Sequence, residues 1–435
     1  MNTLFSNLNS QAKYLTPMLA GSILLASCQP SEQANGGSGD SDKPQVTILG
    51  VLIGEQQEKL EAALAPFTEE TGIEVVYEGT DSFATTLPIR VDSGNAPDLA
   101  MFPQPGLMAD FAREGAMVPL TEFMTNEDLG TAYDQAWIDL GTVDGDVYGA
   151  WYRASVKSLV WYNPEQFEAN GYEVPESWEE MLALSDRLVE EGKTPWCLGM
   201  ESGDATGWVG TDWVEEIMLR TAAPETYDQW INHEIPFNDP AVKNAVETFG
   251  EIVRNEDYIY GGIVGALSTP FGDSIQGLFG EEPNCYLHKQ ANFIASFLPE
   301  EIDTSSEVGI FPLPGIDSEY GLPILVAGDV FGMFNDTPEA RQLMEYITTK
   351  VPHEVAAGLG GYISPRKDVD FTLYPDDLTR VQAEILENAD VIRFDGSDMM
   401  PGAVGTGTFW SGMVDYVGGT DAETVLDNIE ASWPE

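Results

Sequence analysis

The sequence predicts an α/β protein built from more than one α/β region. Three observations carry this. An apolar run at 46–52 (VTILGVL) is followed by Leu60, Leu64 and Phe67 at helical spacing within 55–70, and then by a second run at 73–77 (IEVVY) bounded by Gly72 and Gly79. Strand, helix, strand in that order is the pattern of a parallel sheet with a crossover helix. A second round repeats it, with a helix over 83–91, the turn Gly94-Asn95-Ala96-Pro97 and a strand at 98–102. A third set begins after 150, and 435 residues at 43% hydrophobic and 10% aromatic are enough to bury two cores.

The chain opens with an apolar stretch, 14–27, long enough for a signal-peptide core and too short for a comfortable membrane span. It ends in Leu25-Ala26-Ser27-Cys28, an aliphatic residue, two small residues and a cysteine, which is the pattern of a bacterial lipoprotein processing site. The expectation is cleavage before Cys28 and a lipid on its sulfur, leaving 1–27 as signal peptide. Residues 28–44, rich in Gly, Ser and Asp without apolar periodicity, read as a flexible tether.

Beyond the second round, 147–151 and 158–162 (SLVWY) are strand-like. Ser177-Trp178-Glu179-Glu180 has the form of a capping box and opens a helix to about 190. Asp239-Pro240 starts another, with Val242, Val246, Phe249 and Val253 along one face. Residues 307–311 and 324–334 return to strand character, Thr337-Pro338 opens a helix through 348, and the chain after Pro365 reads as mostly helical. No repeat of 20 to 50 residues is visible.

Charge excludes one class of partner. Seventy-three Asp and Glu against 19 Lys and Arg give a formal net charge of −54, a field that repels nucleic acid and other polyanions. The aromatic content argues against disorder. Adaptation to salt accounts for the imbalance, since at molar salt the Debye length falls to about 3 Å and carboxylate self-repulsion is screened. Of the three cysteines, lipidation of Cys28 leaves Cys197 and Cys285. An even pair in an oxidising compartment points to a disulfide, against the alternative of two separate buried thiols.

Catalytic motifs fail one by one. His353-Glu354 has Ala357 where a second zinc-binding histidine is needed, Gly192-Lys193-Thr194 has Arg187 at the first glycine position of a phosphate-binding loop, and no Gly-x-Ser-x-Gly occurs. Asp144-Gly145-Asp146 lacks the spacing of a calcium loop and reads as an acidic turn. No catalytic residue, metal or cofactor is assigned. The more specific signal is aromatic rings beside hydrogen-bonding groups in loops, the combination that sugars need for ring faces and hydroxyls. Trp151-Tyr152-Arg153, Trp208 through Asp212 and Trp213, and Asp395-Gly396-Ser397-Asp398 followed by Phe409-Trp410 fit. Trp178, Trp230 and Trp433, in helical settings, are assigned to packing.

Several stretches carry a family resemblance: Tyr77-Glu78-Gly79-Thr80, Gly94-Asn95-Ala96-Pro97-Asp98, Phe102-Pro103-Gln104-Pro105-Gly106, Gly207-Trp208 with Thr211-Asp212-Trp213, His233-Glu234-Ile235-Pro236-Phe237, Gly360-Gly361-Tyr362-Ile363-Ser364-Pro365 and Ser397-Asp398-Met399-Met400-Pro401. From Val46 onward the chain resembles the extracellular solute-binding proteins of bacterial ABC importers, in the sugar-binding family that includes maltose and trehalose binders, and within it the α-glucoside branch. The resemblance implies a two-lobed periplasmic-binding-protein-like fold of type II, with ligand in a cleft between lobes joined by hinge strands. It implies a first lobe of 45–150 and 308–365, a second of 151–307 and 366–435, and crossings near Trp151, Phe311 and Pro365.

By the same resemblance, Glu55 or Gln56, Thr80, Asp81 and Gln104 would face the sugar from the first lobe. Arg153, Trp208, Asp212, Trp213 and the Asp395–Asp398 turn with Ser397 would do so from the hinge and second lobe, and Trp151 and Trp410 join them as stacking aromatics. The chain departs from the trehalose binders at Asp395-Gly396-Ser397-Asp398, where an arginine-led segment is expected. The implied partners are a small sugar, two permease subunits with an ATPase, and the membrane through the lipid anchor, with the protein itself a monomer. Two other functions compete: an exported carbohydrate-active enzyme using paired carboxylates, and the sensor subunit of a signalling system.

Overall fold

Val46, Ile48 and Leu49 are sealed from solvent in β1 (Gln45–Gly50), because both faces of this strand are covered. A computed structural model describes residues 43–389 and 391–434. The expected signal peptide, the lipidated Cys28 and all but the last two residues of the tether lie outside the described residues. β1 pairs in parallel with β2 (Glu74–Gly79) on one side and β3 (Leu99–Phe102) on the other. The helices Glu55–Thr71 and Phe83–Asp92 make the two crossovers that the apolar spacing predicts.

After a short hairpin, β4 (Thr142–Val143) and β5 (Asp146–Val147), turned by Asp144 and Gly145 at positive φ, the chain enters β6 (Ala150–Val156) and β7 (Leu159–Tyr162). The acidic turn is thus the tip of the hairpin. β8 (His288–Lys289) and β9 (Gly309–Pro312) flank β7 in a small antiparallel sheet. The ten-residue β10 (Ile324–Met333) returns to the large sheet, where it runs antiparallel to β3 and β6 and parallel to β11 (Ile392–Phe394). The large sheet is six-stranded, ordered β11-β10-β3-β1-β2 with β6 also on β10.

Two cores correspond to the two sheets. One gathers β1, β3, β6 and β10 with helices packed on them. The other surrounds Trp213, Trp230 and Phe249, all fully buried on helices Trp208–Thr221, Pro224–Ile231 and Pro240–Val253. Trp178 packs in that second core, and Trp433 stacks on His233 at 4.2 Å. At Ser177 the structure forms half of the predicted capping box: its hydroxyl accepts from the amide of Glu180, while the Glu180 carboxylate accepts from Glu176 instead.

Strand pairing corrects the expected lobe boundaries. β6 belongs to the large sheet, so the first crossing is at Lys157 and Ser158 and not near Trp151. β9 pairs with β7 in the small sheet, so the second lies between Pro312 and Ile324 and not at 308. β11 lies in the large sheet, with Val369, Tyr374 and Ala383 in the same core, so the third falls at Asp395 and not at Pro365. Apolar runs reveal strands but not which sheet takes them. The crossings are drawn together by backbone bonds: the amide of Lys157 donates to Leu325 (2.8 Å), that of Leu313 to Ser158 (2.8 Å) and that of Asp395 to Val326 (2.8 Å), while the Ser158 hydroxyl accepts from the amide of Leu325 (2.7 Å).

Candidate ligand-binding cleft

The C-terminal ends of parallel strands leave a crevice in any open α/β sheet. Here β1 runs out into Val51, Leu52 and Ile53, β2 is followed by Asp81, and β3 by Pro103 and Gln104, all bordering one cavity. Arg153 and Ser155 of β6 and Ala327 to Asp329 of β10 form its base, with Lys157 at the crossing beside them. The opposite side comes from the region of the small sheet: Trp208, Asp212, Phe271, Phe293, Phe297, Ser397, Asp398 and Trp410. The cleft encloses about 930 Å³ of space not filled by protein atoms, open solvent at its mouth included.

One wall is aromatic. Trp208 lies edge-to-face with Phe271 (5.2 Å) and tilted against Phe293 (6.0 Å), and Phe297 packs on Phe271 (5.2 Å). Trp208 opens its helix directly after Gly207. Gly207 sits at φ 117°, and a Cβ there would run into the backbone carbonyl of Trp410. A glycine at this point lets both tryptophans reach the same cavity.

The floor is ionic. The Lys157 ammonium is 2.8 Å from Asp212 Oδ1, bonds Asp395 and lies 4.0 Å from Asp398 Oδ2. Burial works against its charge, but the surrounding carboxylates outweigh that and hold its pKa well above the ordinary value. Burial pushes the Asp212 carboxyl up to about 7 despite Lys157. Asp395 is also fully buried, yet Lys157, the Ser397 hydroxyl and the Asp398 amide keep it below the usual range. Arg153 Nε donates to Asp329 Oδ2 at 2.5 Å, and its guanidinium lies 5.9 Å from the centre of Phe293.

Three residues that line the cleft each carry a buried polar atom without a hydrogen-bond partner among the described residues: Gln104 Oε1, Asp212 Oδ2 and the indole Nε1 of Trp410. An unsatisfied buried polar atom costs about 1–3 kcal/mol. Two acceptors and one donor at the edge of an aromatic wall suit a ligand rich in hydroxyls, whose C–H faces can lie on the rings.

Of the residues expected from sequence, Gln56, Asp81, Gln104, Arg153, Trp208, Asp212, Ser397, Asp398 and Trp410 line the cleft. The others do not. Trp151 is 1% exposed in the large-sheet core, tilted against Trp137 at 4.9 Å, because a bulge in β6, where Arg153 pairs with Asp329 but Trp151 with Val330, turns it away from Arg153's side of the sheet. Trp213 is fully buried against Trp196 and Phe249, five residues along the same helix from the cavity-lining Trp208 and so on its inner face. Glu55 is turned outward to Lys59 (2.8 Å), and the Thr80 hydroxyl accepts from the amide of Ser82 (3.1 Å). Asp395 lies behind the floor as the partner of Lys157. Sequence reasoning misses Lys157, Asp329, Phe271, Phe293 and Phe297. No charged residue or tryptophan adjoins the three phenylalanines in sequence, and Lys157 is a lone lysine beside an apolar run, with nothing nearby in the chain to mark it as buried.

A family model described as bacterial extracellular solute-binding protein matches residues 53–352. The chain is 71% identical over 420 residues to the osmoprotective compounds-binding protein GgtB of Synechocystis, covering 97% of this chain and 99% of that one. It is 43% identical over 396 residues to the alpha-glucosides-binding periplasmic protein AglE of Rhizobium meliloti, covering 89% and 86%. Among solved structures, the bacterial solute receptor AcbH superposes with a TM-score of 0.78 at 18% identity over 89% of this chain and 98% of that one. A maltose-bound T. maritima MalE3 does so with a TM-score of 0.68 at 17% identity over 89% and 98%. These neighbours share the two-lobed type II fold. By the span of the family model and the identity to its relatives, the chain belongs to the bacterial extracellular solute-binding proteins.

Proposed function

We propose that this protein captures an α-glucoside or similarly small glycoside, of the trehalose, sucrose, maltose or glucosylglycerol class, and delivers it to an ABC importer of two permease subunits and an ATPase. The observation that carries the reading is the cleft itself: an aromatic wall of Trp208, Phe271 and Phe293 beside the polar side chains of Arg153, Lys157, Asp212 and Asp398, with Gln104 Oε1, Asp212 Oδ2 and Trp410 Nε1 lacking a hydrogen-bond partner among the described residues. It is supported by relatives whose names speak of osmoprotective compounds and of alpha-glucosides. The protein works as a binding protein without turnover, as a monomer, exported and held to the cell envelope by lipid on Cys28. Its charge of −54 suits a surface bathed in external brine.

Calorimetry with trehalose, sucrose, maltose, glucosylglycerol and glucose, in high salt, tests the reading. At least one α-linked glucoside binds well and glucose weakly, because lobe closure has a fixed ordering cost that a small ligand offsets less. Failure of all the glucosides at millimolar concentration overturns the substrate class, and release of free sugar on prolonged incubation overturns the absence of turnover. Loss of palmitate labelling in Cys28→Ser tests the anchor.

A further inference from the structure

Four carboxyl groups surround one ammonium group at the cleft floor. Lys157 contacts Asp212 and Asp395 directly and Asp398 at 4.0 Å, and Glu215 stands beside them on the helix of Asp212. The side chains of Lys157, Asp212, Asp395 and Asp398 are 7%, 2%, 0% and 8% exposed, and Glu215 is fully buried. Four full negative charges against one positive in so dry a place cannot all persist, since like charges in low dielectric force a proton onto one of them.

Hydrogen bonds decide where it goes. Asp395 accepts from Lys157, from the Ser397 hydroxyl (2.8 Å) and from the Asp398 amide (2.9 Å). Glu215 accepts from the amides of Gly396 and Ser397, both at 2.9 Å, one on each oxygen. Asp212 has the ammonium at 2.8 Å on Oδ1. Each of these bonds favours the charged form. Among the described residues no donor reaches the carboxyl oxygens of Asp398, which line the cavity with the ammonium only at 4.0 Å.

Every neighbouring element adds to this setting. Lys157 comes from the β6 to β7 crossing, Arg153 from β6, Asp212 and Glu215 from helix Trp208–Thr221, Asp329 from β10 and Asp395 from the turn after β11. Lys289 of β8 lies behind, on the carbonyl of Asp212 and 3.9 Å from Glu216, which Arg220 already pairs. Tyr227 holds the carbonyl of Phe394 and Asp110 the amide of Gly402.

We propose that the floor keeps a proton on Asp398, which meets the ligand as a neutral carboxylic acid donating its O–H, beside Asp212 Oδ2 as acceptor. Donor and acceptor side by side fit two neighbouring ligand oxygens, one accepting and one donating, so Asp398 is a specificity-determining residue. Burial first, and then the charge of Asp395, push the Asp398 carboxyl well above the usual carboxylate range. Burial pushes Glu215 up as well, and Asp212 to about 7, which makes these two the competing seats for the proton.

The role toward ligand rests on the glycoside reading, but the proton is tested without ligand. Infrared spectra of the ligand-free full chain at pH 8.5, above the value of about 7 to which burial raises Asp212, are expected to show the C=O stretch of an un-ionised carboxylic acid, lost in Asp398→Asn and shifted in Asp398→Glu. Absence of the band overturns the proposal, as does its loss in Glu215→Gln or Asp212→Asn with retention in Asp398→Asn. With trehalose, sucrose or glucosylglycerol, whichever the wild type binds, Asp398→Asn keeps a donor in place and is expected to hold Kd within about threefold, whereas Asp398→Ala raises it about tenfold or more. A tenfold loss in the asparagine variant overturns the donor role. If the wild type binds none of them, the glycoside reading fails while the infrared result still decides the proton.

Discussion

Arg153 and Asp329 face each other from adjacent strands beneath the cleft, Nε to Oδ2 at 2.5 Å, with side chains only 11% and 3% exposed. Breaking one member of such a pair leaves the other charge buried and unmatched, which costs about 3–5 kcal/mol. Asp329→Ala is therefore expected to lower the unfolding free energy by that order, read from denaturant curves. Arg153→Met with Asp329→Leu, which removes both charges, should cost less than either single change. Additive losses would show that the two act separately.

Aromatic residues divide by position. Trp208 and Trp410 line the cavity, whereas Trp151 packs on Trp137 and Phe394 inside the sheet core. Trp208→Ala and Trp410→Ala are each expected to weaken glycoside binding by about 1 kcal/mol or more through the lost ring face. Trp151→Phe should leave Kd unchanged and lower Tm. Calorimetry and thermal melts on the same preparations separate the two, and a binding defect confined to Trp151→Phe would return that residue to the site.

The first three strands and two crossover helices were readable because apolar spacing is local: Val46 to Leu49 and Leu60, Leu64 and Phe67 announce a strand and an amphipathic helix without reference to anything distant. Lobe membership was not, because β9 and β11 are four and three residues long and their sheets are chosen by partners far away in the chain. Aromatic clusters located the cleft to within a helical turn, but could not tell Trp208 from Trp213, five residues on and turned into the core. Lys157 was invisible for another reason: a lone lysine beside an apolar run reads as surface until its three carboxylate partners, from 55 to 241 positions away, are folded around it.

Cys197 and Cys285 are bonded, with Cα atoms 5.4 Å apart and 88 positions between them. Closing a loop of that length stabilises the native state by roughly 4–5 kcal/mol in the chain-entropy model. Replacing both by serine is expected to reduce unfolding free energy by about 2–5 kcal/mol. Denatured, unreduced protein should present neither thiol to an alkylating reagent and both after reduction. Two alkylated cysteines before reduction would remove the cross-link from the account.

Asp212 makes stability depend on pH in a direction opposite to a surface salt bridge. Its folded carboxyl titrates near 7, against an ordinary value of 3.8, because burial outweighs the pull of Lys157. Between those values the native state holds a proton that the unfolded chain has released, so stability falls as pH rises from about 4 to about 7 and is level beyond. Asp212→Asn cannot titrate there. It loses one partner of Lys157, a fixed offset, but Lys157 still bonds Asp395. The difference in unfolding free energy between variant and wild type should therefore move in the variant's favour across that window and stop changing above it. Measuring in molar NaCl keeps the many surface carboxylates screened, with a Debye length of about 3 Å. A difference that stays flat from pH 4 to 8, or turns toward the wild type as pH rises, would mean that Lys157 holds Asp212 ionised throughout and that the burial of this carboxyl is fully compensated.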